Sequence, residues 1–176
     1  MNAINHAFTE HLPSTMTKSD FVEVFGGVYE HSPWIAEHVW SDRLTADHDT
    51  VDGLHAAMAA IVNAADKQAK LDLLCAHPDL AGKLALGGGL TAESTGEQAS
   101  AGLDQCSSEE FSEFQSLNEH YKSKFGFPFI LAVRGRGRAE ILEAFRARVE
   151  NDVEREFNEA LEQVHRIAHL RLNQIN

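Results

Sequence analysis

"RAEILEAFRARVENDVEREFNEALEQVHRIAHLRL", residues 138–172, decides the fold. Leu142, Phe145, Val149, Val153, Phe157, Leu161, Val164, Ala168 and Leu172 recur every three or four positions, which is the spacing of one helix face. As one unbroken helix, 138–175 would extend roughly 57 Å. That is too long for a compact domain built from 176 residues. The stretch therefore either breaks near Asn151–Asp152 or projects and packs on a second subunit.

The same period runs through the rest of the chain, while strand-like alternation is nearly absent. Thr17 with Asp20 has the spacing of a helix start, followed by Phe21, Val24 and Phe25. Pro33 suits a first helical position, with Ile35 and Val39 four apart. Val51, Leu54, Ala57, Met58 and Ile61 mark a helix over about 50–63, and Leu71, Leu74 and Cys75 the next. Ser107 with Glu110 makes a capping box. Phe111, Phe114, Leu117, Tyr121 and Phe125 then share a face, and Gly126 stops the helix. The triple glycine at 87–89 reads as a loop, because glycine in a helix interior costs about 1 kcal/mol per residue. "FPFILAV", 127–133, is the one extended segment, too short to imply a sheet. The expectation is an all-α, single-domain multi-helix bundle over 1–176, with its apolar stripes packed together.

Charge narrows the function classes. Fifteen Lys and Arg against 27 Asp and Glu give a formal charge of −12. That argues against nucleic acid and against anionic membrane surfaces. No apolar run approaches the ~18 residues of a membrane span. The opening residues lack a secretory pattern, and the closing residues are not a peroxisomal address. A cytoplasmic location is expected. Cys75 and Cys106 are not in metal-ligand spacing, and Cys75, inside an apolar run, reads as a reduced core residue. His165 and His169 are four apart, yet there is no HExxH and only one Glu-x-x-His, so no metal site is expected.

Three stretches carry polar groups that a helical scaffold alone does not need. In "LLCAHPDLAGKLA", 73–85, His77 interrupts leucines and alanines and stands against Pro78. A residue before proline is pushed out of the α region, so His77 ends one helix. Its ring is either a satisfied core histidine or an acid–base group at the mouth of an apolar pocket. Ser94 and Glu97 have the S-x-x-E spacing of a helix-start box, and a helix N-terminus also holds anions. "RGRGR", 134–138, is either a solvent-exposed turn before a helix or an anion-binding corner led by Arg134.

Together, "HPDLAGKLA", "LTAESTGEQASAGLD", "LNEHYKSKFGFPFILAVRG" and "EALEQVHRIAHLRL" resemble the 2-oxo-4-hydroxy-4-carboxy-5-ureidoimidazoline (OHCU) decarboxylases of urate degradation. The likeness runs from about residue 18 to residue 173. It implies an all-helical carboxy-lyase that needs no cofactor, is usually a homodimer, and converts OHCU to (S)-allantoin in the third step from urate. The family's catalytic histidine falls on His77 and its catalytic glutamate on Glu97. Substrate-binding positions fall on Pro78, Ser94, Glu97, Gln98, Phe129, Ile130, Leu131, Ala132 and Val133, and Arg134 closes that segment. One departure is Arg43-Leu44-Thr45, where relatives often carry Arg-Pro-Phe. The alternative is a non-catalytic all-helical interaction module. It accounts for the stripes but not for His77, Ser94, Glu97 and Gln98 clustering around a glycine loop.

Overall fold

Helical periodicity becomes helix here wherever a cap closes it. The computed structural model describes residues 5–82 and 88–176. Positions 83–85 of the His77 stretch and Gly87 of the triple glycine lie outside the described residues. Eight α-helices occur among those residues: α1 Lys18–Phe25, α2 Trp34–Ser41, α3 Val51–Ala64, α4 Lys67–Cys75, α5 Ala92–Ser100, α6 Ser108–Phe125, α7 Arg138–Arg148 and α8 Val153–Leu172. Extended pairing among them is limited to an isolated bridge between Ala7 and Thr50. The all-α expectation holds. No helix of the described residues is long and apolar enough to cross a membrane.

The caps explain the boundaries. The hydroxyl of Thr17 accepts from Asp20 N, and that of Thr50 from Gly53 N. Ser107 and Glu110 exchange both capping-box bonds, at 3.0 and 3.1 Å. The Ser107 N–H, and then Arg138, hold the Glu110 carboxyl below its ordinary range. Gly126 ends α6 at φ +81°, a left-handed conformation open to glycine at little cost. The stretch 138–172 breaks where its polar pair stands. Asn151 N donates to Arg148 O, and Asp152 Oδ1 accepts from Arg155 N to start α8. Short polar side chains compete with helix bonds in this way. The break also shifts the phase of the stripe: Val153, expected on the buried face, is exposed, and Glu156 and Ala160 turn inward instead.

Backbone contacts divide the chain into two compact units, one of residues up to Leu73 with His165–Asn176, the other Leu74–Val164. The first unit has a core of Phe8, Phe21, Phe25, Leu54, Met58 and Leu172. It also buries an ion pair between Arg171 and Glu30 at 2.8 Å. His165 and His169 have protein partners there. His165 meets the Tyr29 hydroxyl and Asn63 Oδ1, and His169 meets Asp52 Oδ1. Among the described residues no cluster of three His, Cys, Asp or Glu side chains is placed to hold a metal ion.

The second unit is built around aromatic rings. Phe129 stacks on Phe145 with centroids 3.9 Å apart, and Tyr121 packs edge-on to both. Burying each such ring stabilises by about 1.5–3 kcal/mol. Beside the rings, Glu156 is fully buried and accepts from Arg148, Asn151 and the Tyr121 hydroxyl. Burial, then the Glu156 carboxylate, push the Tyr121 phenol above its ordinary value, so it stays protonated and donates. This cluster fixes the extended segment 127–133. The Arg148 guanidinium donates to Ile130 O and lies 4.5 Å from the Phe129 ring centroid. Gln163 Oε1 accepts from Ala132 N at 3.1 Å.

Candidate active site

The chain leaves α4 at Cys75 and makes the turn that carries His77. His77 N donates to Leu74 O, and the residue is buried. Further along, Ala81 adopts φ +50°, which costs a non-glycine residue about 1–2 kcal/mol. Three side-chain amides hold the backbone of this loop in place. Gln98 Nε2 donates to Asp79 O at 3.2 Å, and its Oε1 accepts from Ala81 N at 3.0 Å. Asn118 Nδ2 donates to Leu80 O at 2.9 Å, and Gln115 Nε2 donates to Ala81 O at 2.8 Å. The loop is thus clamped from both α5 and α6.

The clamped loop forms one wall of a cavity of about 500 Å³. His77 and Pro78 line it, with Asn118 and Lys122 of α6 facing and Phe127 and Pro128 closing one side. Lys122 Nζ lies 2.7 Å from Asp79 Oδ2 at the partly exposed rim. Cys75 lines the cavity too and is exposed, which corrects its reading as a core residue. Leu73 and Leu74 take the buried positions, while Cys75, last in α4, has its thiol toward Gly126 O.

The remaining sequence candidates sit around this wall rather than all on the cavity. Ser94 and Gln98 are buried on α5 and Glu97 is half-buried. None of the three is among the residues lining the 500 Å³ cavity. Gln98 instead borders a smaller recess of about 100 Å³ beside Ala81 and Gly82. The helix-start reading of Ser94 and Glu97 is corrected. The cap of α5 is Thr91, whose hydroxyl accepts from Ser94 N, so both residues lie inside the helix. Phe129, Ile130, Leu131, Ala132 and Val133 are all buried. Part of their backbone is already engaged. Ile130 O serves Arg148, Ala132 N serves Gln163, and Ala132 O and Val133 O serve Arg136. Phe129 and Leu131 take part in none of these bonds. Arg134 is exposed in the turn with Gly135, and Arg138 binds Glu110 and Gly102 O.

Sequence reading missed the wall contributed by α6. Gln115, Asn118 and Lys122 are spaced three and four apart, and Asn118 falls in the buried series Phe114, Asn118, Tyr121, Phe125. A polar residue inside an apolar stripe was the available signal.

Comparison with known proteins identifies the family of the chain. A family model described as OHCU decarboxylase matches residues 14–173. The 2-oxo-4-hydroxy-4-carboxy-5-ureidoimidazoline decarboxylase of Halalkalicoccus jeotgali is 43% identical over 158 residues, 90% of this chain and 86% of that protein. A crystal structure of (S)-allantoin synthase superposes with a TM-score of 0.74 at 38% identity over 92% of this chain; the chain spans 51% of that one. A crystal structure of an OHCU decarboxylase in the presence of (S)-allantoin gives a TM-score of 0.63 at 25% identity, covering 80% of this chain and 89% of the other. The chain, matched across nearly its whole length, belongs to the OHCU decarboxylase family.

Proposed function

We propose that this chain decarboxylates OHCU to (S)-allantoin, the third step from urate, in the cavity lined by His77 and Pro78. The observation that carries the placement is a buried imidazole on a clamped loop at the wall of a 500 Å³ space. A volume of that order suits a small organic ligand.

The substrate has a carboxylate on a carbon beside a ring C=N bond. As the C–C bond to the carboxylate breaks, CO2 leaves and the electron pair passes into that ring system. The ring nitrogen of the former C=N takes a proton, and the hydroxyl of the resulting enol gives one up to become the product carbonyl. One proton must reach one face of the former C=N carbon, which bears the ureido group. The ring is its own electron sink, so the protein's task is orientation, charge stabilisation and proton delivery. In this reading His77 handles the proton at the hydroxyl or carboxylate end, and Pro78 fixes the turn that aims it. The family resemblance gives Glu97 the ring-orienting role and Ser94 and Gln98 the ureido group. The three stand on α5 outside the lining of the 500 Å³ cavity, so these roles require the bound ligand to extend beyond that lining. Backbone groups of 129–133 pair with the polar ring edge, and Arg134 stands at the end of that segment. The chain acts as one domain over 1–176, as a cytoplasmic homodimer, and without a cofactor.

The test generates OHCU in situ from urate with the two upstream enzymes and follows circular dichroism. Uncatalysed loss of CO2 has no chiral surface and gives racemic product. The purified chain should produce an accumulating (S)-allantoin signal. A racemic product formed at the blank rate rejects the function.

A further inference from the structure

OHCU is a carboxylate before it loses CO2 and a neutral ureide afterwards. The chain carries a formal charge of −12, and the cavity beside His77 is itself lined by two acidic residues, Asp79 and Glu119. A further carboxylate is unfavourable there unless a cation offsets it. Among the described residues lining that cavity, Lys122 is the one lysine or arginine. It stands in the last turn of α6, and its Nζ lies 2.7 Å from Asp79 Oδ2. Both partners line the cavity, and their side chains keep 45% and 26% of their surface exposed. The ammonium is therefore at the open rim and not sealed in the wall. It has three N–H donors, of which the printed bond to Asp79 engages one. An ion pair this exposed is weak, and its members exchange partners at little cost.

We propose that Lys122 is a substrate-binding, specificity-determining residue of this cavity, its ammonium turning from Asp79 to receive the carboxylate of the incoming molecule. The ligand class this selects is a small ureide that bears a carboxylate. The inference rests on the OHCU reading and deepens it. Asp79 is two residues beyond His77 on the loop clamped by Gln98, Gln115 and Asn118. A carboxylate taken up beside Asp79 thus lies next to the loop that carries the imidazole. The same charge argument says which constant responds. During decarboxylation negative charge moves out of the carboxylate and into the ring. A cation at the carboxylate stabilises the bound substrate at least as well as the transition state, so it acts on KM more than on kcat. A flexible ammonium at a wet rim suits that task. Once CO2 has left, the charge is gone and Lys122 returns to Asp79, which favours release of the neutral product.

The test measures two constants on the wild-type chain, Lys122→Met and Lys122→Arg. One is KM for OHCU generated in situ, read as (S)-allantoin formation. The other is Kd for (S)-allantoin, which lacks the carboxylate, so the two constants separate recognition of charge from recognition of shape. Lys122→Met should raise KM about 10-fold or more, the effect of one lost charge-assisted hydrogen bond, with a smaller change in kcat. Its Kd for (S)-allantoin should stay within about twofold of wild type. Lys122→Arg keeps the cation and should recover most of the KM. A folded Lys122→Met with KM within about twofold of an active wild type overturns this inference alone. A rise of KM and Kd by the same factor also overturns it, because a pair that only braces the loop affects both ligands alike. A wild-type chain that forms no (S)-allantoin overturns the function and this inference with it. Should Lys122→Met fail to fold, Lys122→Gln, neutral and polar, is read in the same way.

Discussion

His77→Asn should lower kcat by about 10²–10⁴-fold, the range contributed by one positioned acid–base side chain. Asparagine keeps a polar group of similar size at a buried position but cannot take up and return a proton near neutral pH. The loop should keep its shape, because its clamps are Gln98, Gln115 and Asn118, which bond to backbone at Asp79, Leu80 and Ala81. Residual product should be formed at the blank rate and should lose its optical activity. Circular dichroism of the amide band and thermal unfolding should be close to the parent. Near-normal turnover by folded His77→Asn contradicts the proton-handling role.

Arg148→Met should produce the largest loss of stability. Arg148 is buried and donates to the fully buried Glu156 through Nε at 2.8 Å. It also reaches Ile130 O and covers the Phe129 ring. Methionine fills much of the volume and removes the charge, so the buried Glu156 is left with only Tyr121 and Asn151 as donors. Breaking one side of such a pair costs about 3–5 kcal/mol. At about 2–4 °C per kcal/mol for a chain of this size, the melting temperature should fall by roughly 6–20 °C. The double variant Arg148→Met with Glu156→Leu should be more stable than Arg148→Met alone, because it removes the orphaned carboxylate. An unchanged midpoint for Arg148→Met contradicts the assigned anchoring of segment 127–133.

What could be read from sequence was local. Thr17, Ser107 and Gly126 act on groups within four residues, so their patterns carry their own meaning. The break at Asn151–Asp152 was one of two outcomes the sequence left open, and the polar pair there is where α7 and α8 separate. Ser94–Glu97 misled because S-x-x-E is degenerate: Thr91 stands three residues earlier, and Ser94 is its N3 partner rather than a cap. Cys75 misled because an apolar run does not reveal which side of a helix end faces a cavity. Arg148 and Glu156 look like ordinary helix-surface charges eight positions apart, and only packing against Phe129 and Tyr121 makes them interior. The wall from α6 was hidden in a motif that resemblance had identified without assigning its residues.

The central claim is that ligand and His77 meet in the cavity between the 77–82 loop and α6. The most direct measurement titrates isotopically labelled chain with (S)-allantoin and maps the resonances that shift. The account predicts saturable shifts at His77, Asn118 and 126–128, with α1 to α3 silent. Shifts confined to α1–α3, or to the recess around Trp40 and Arg43, with His77 unmoved at saturation, contradict it.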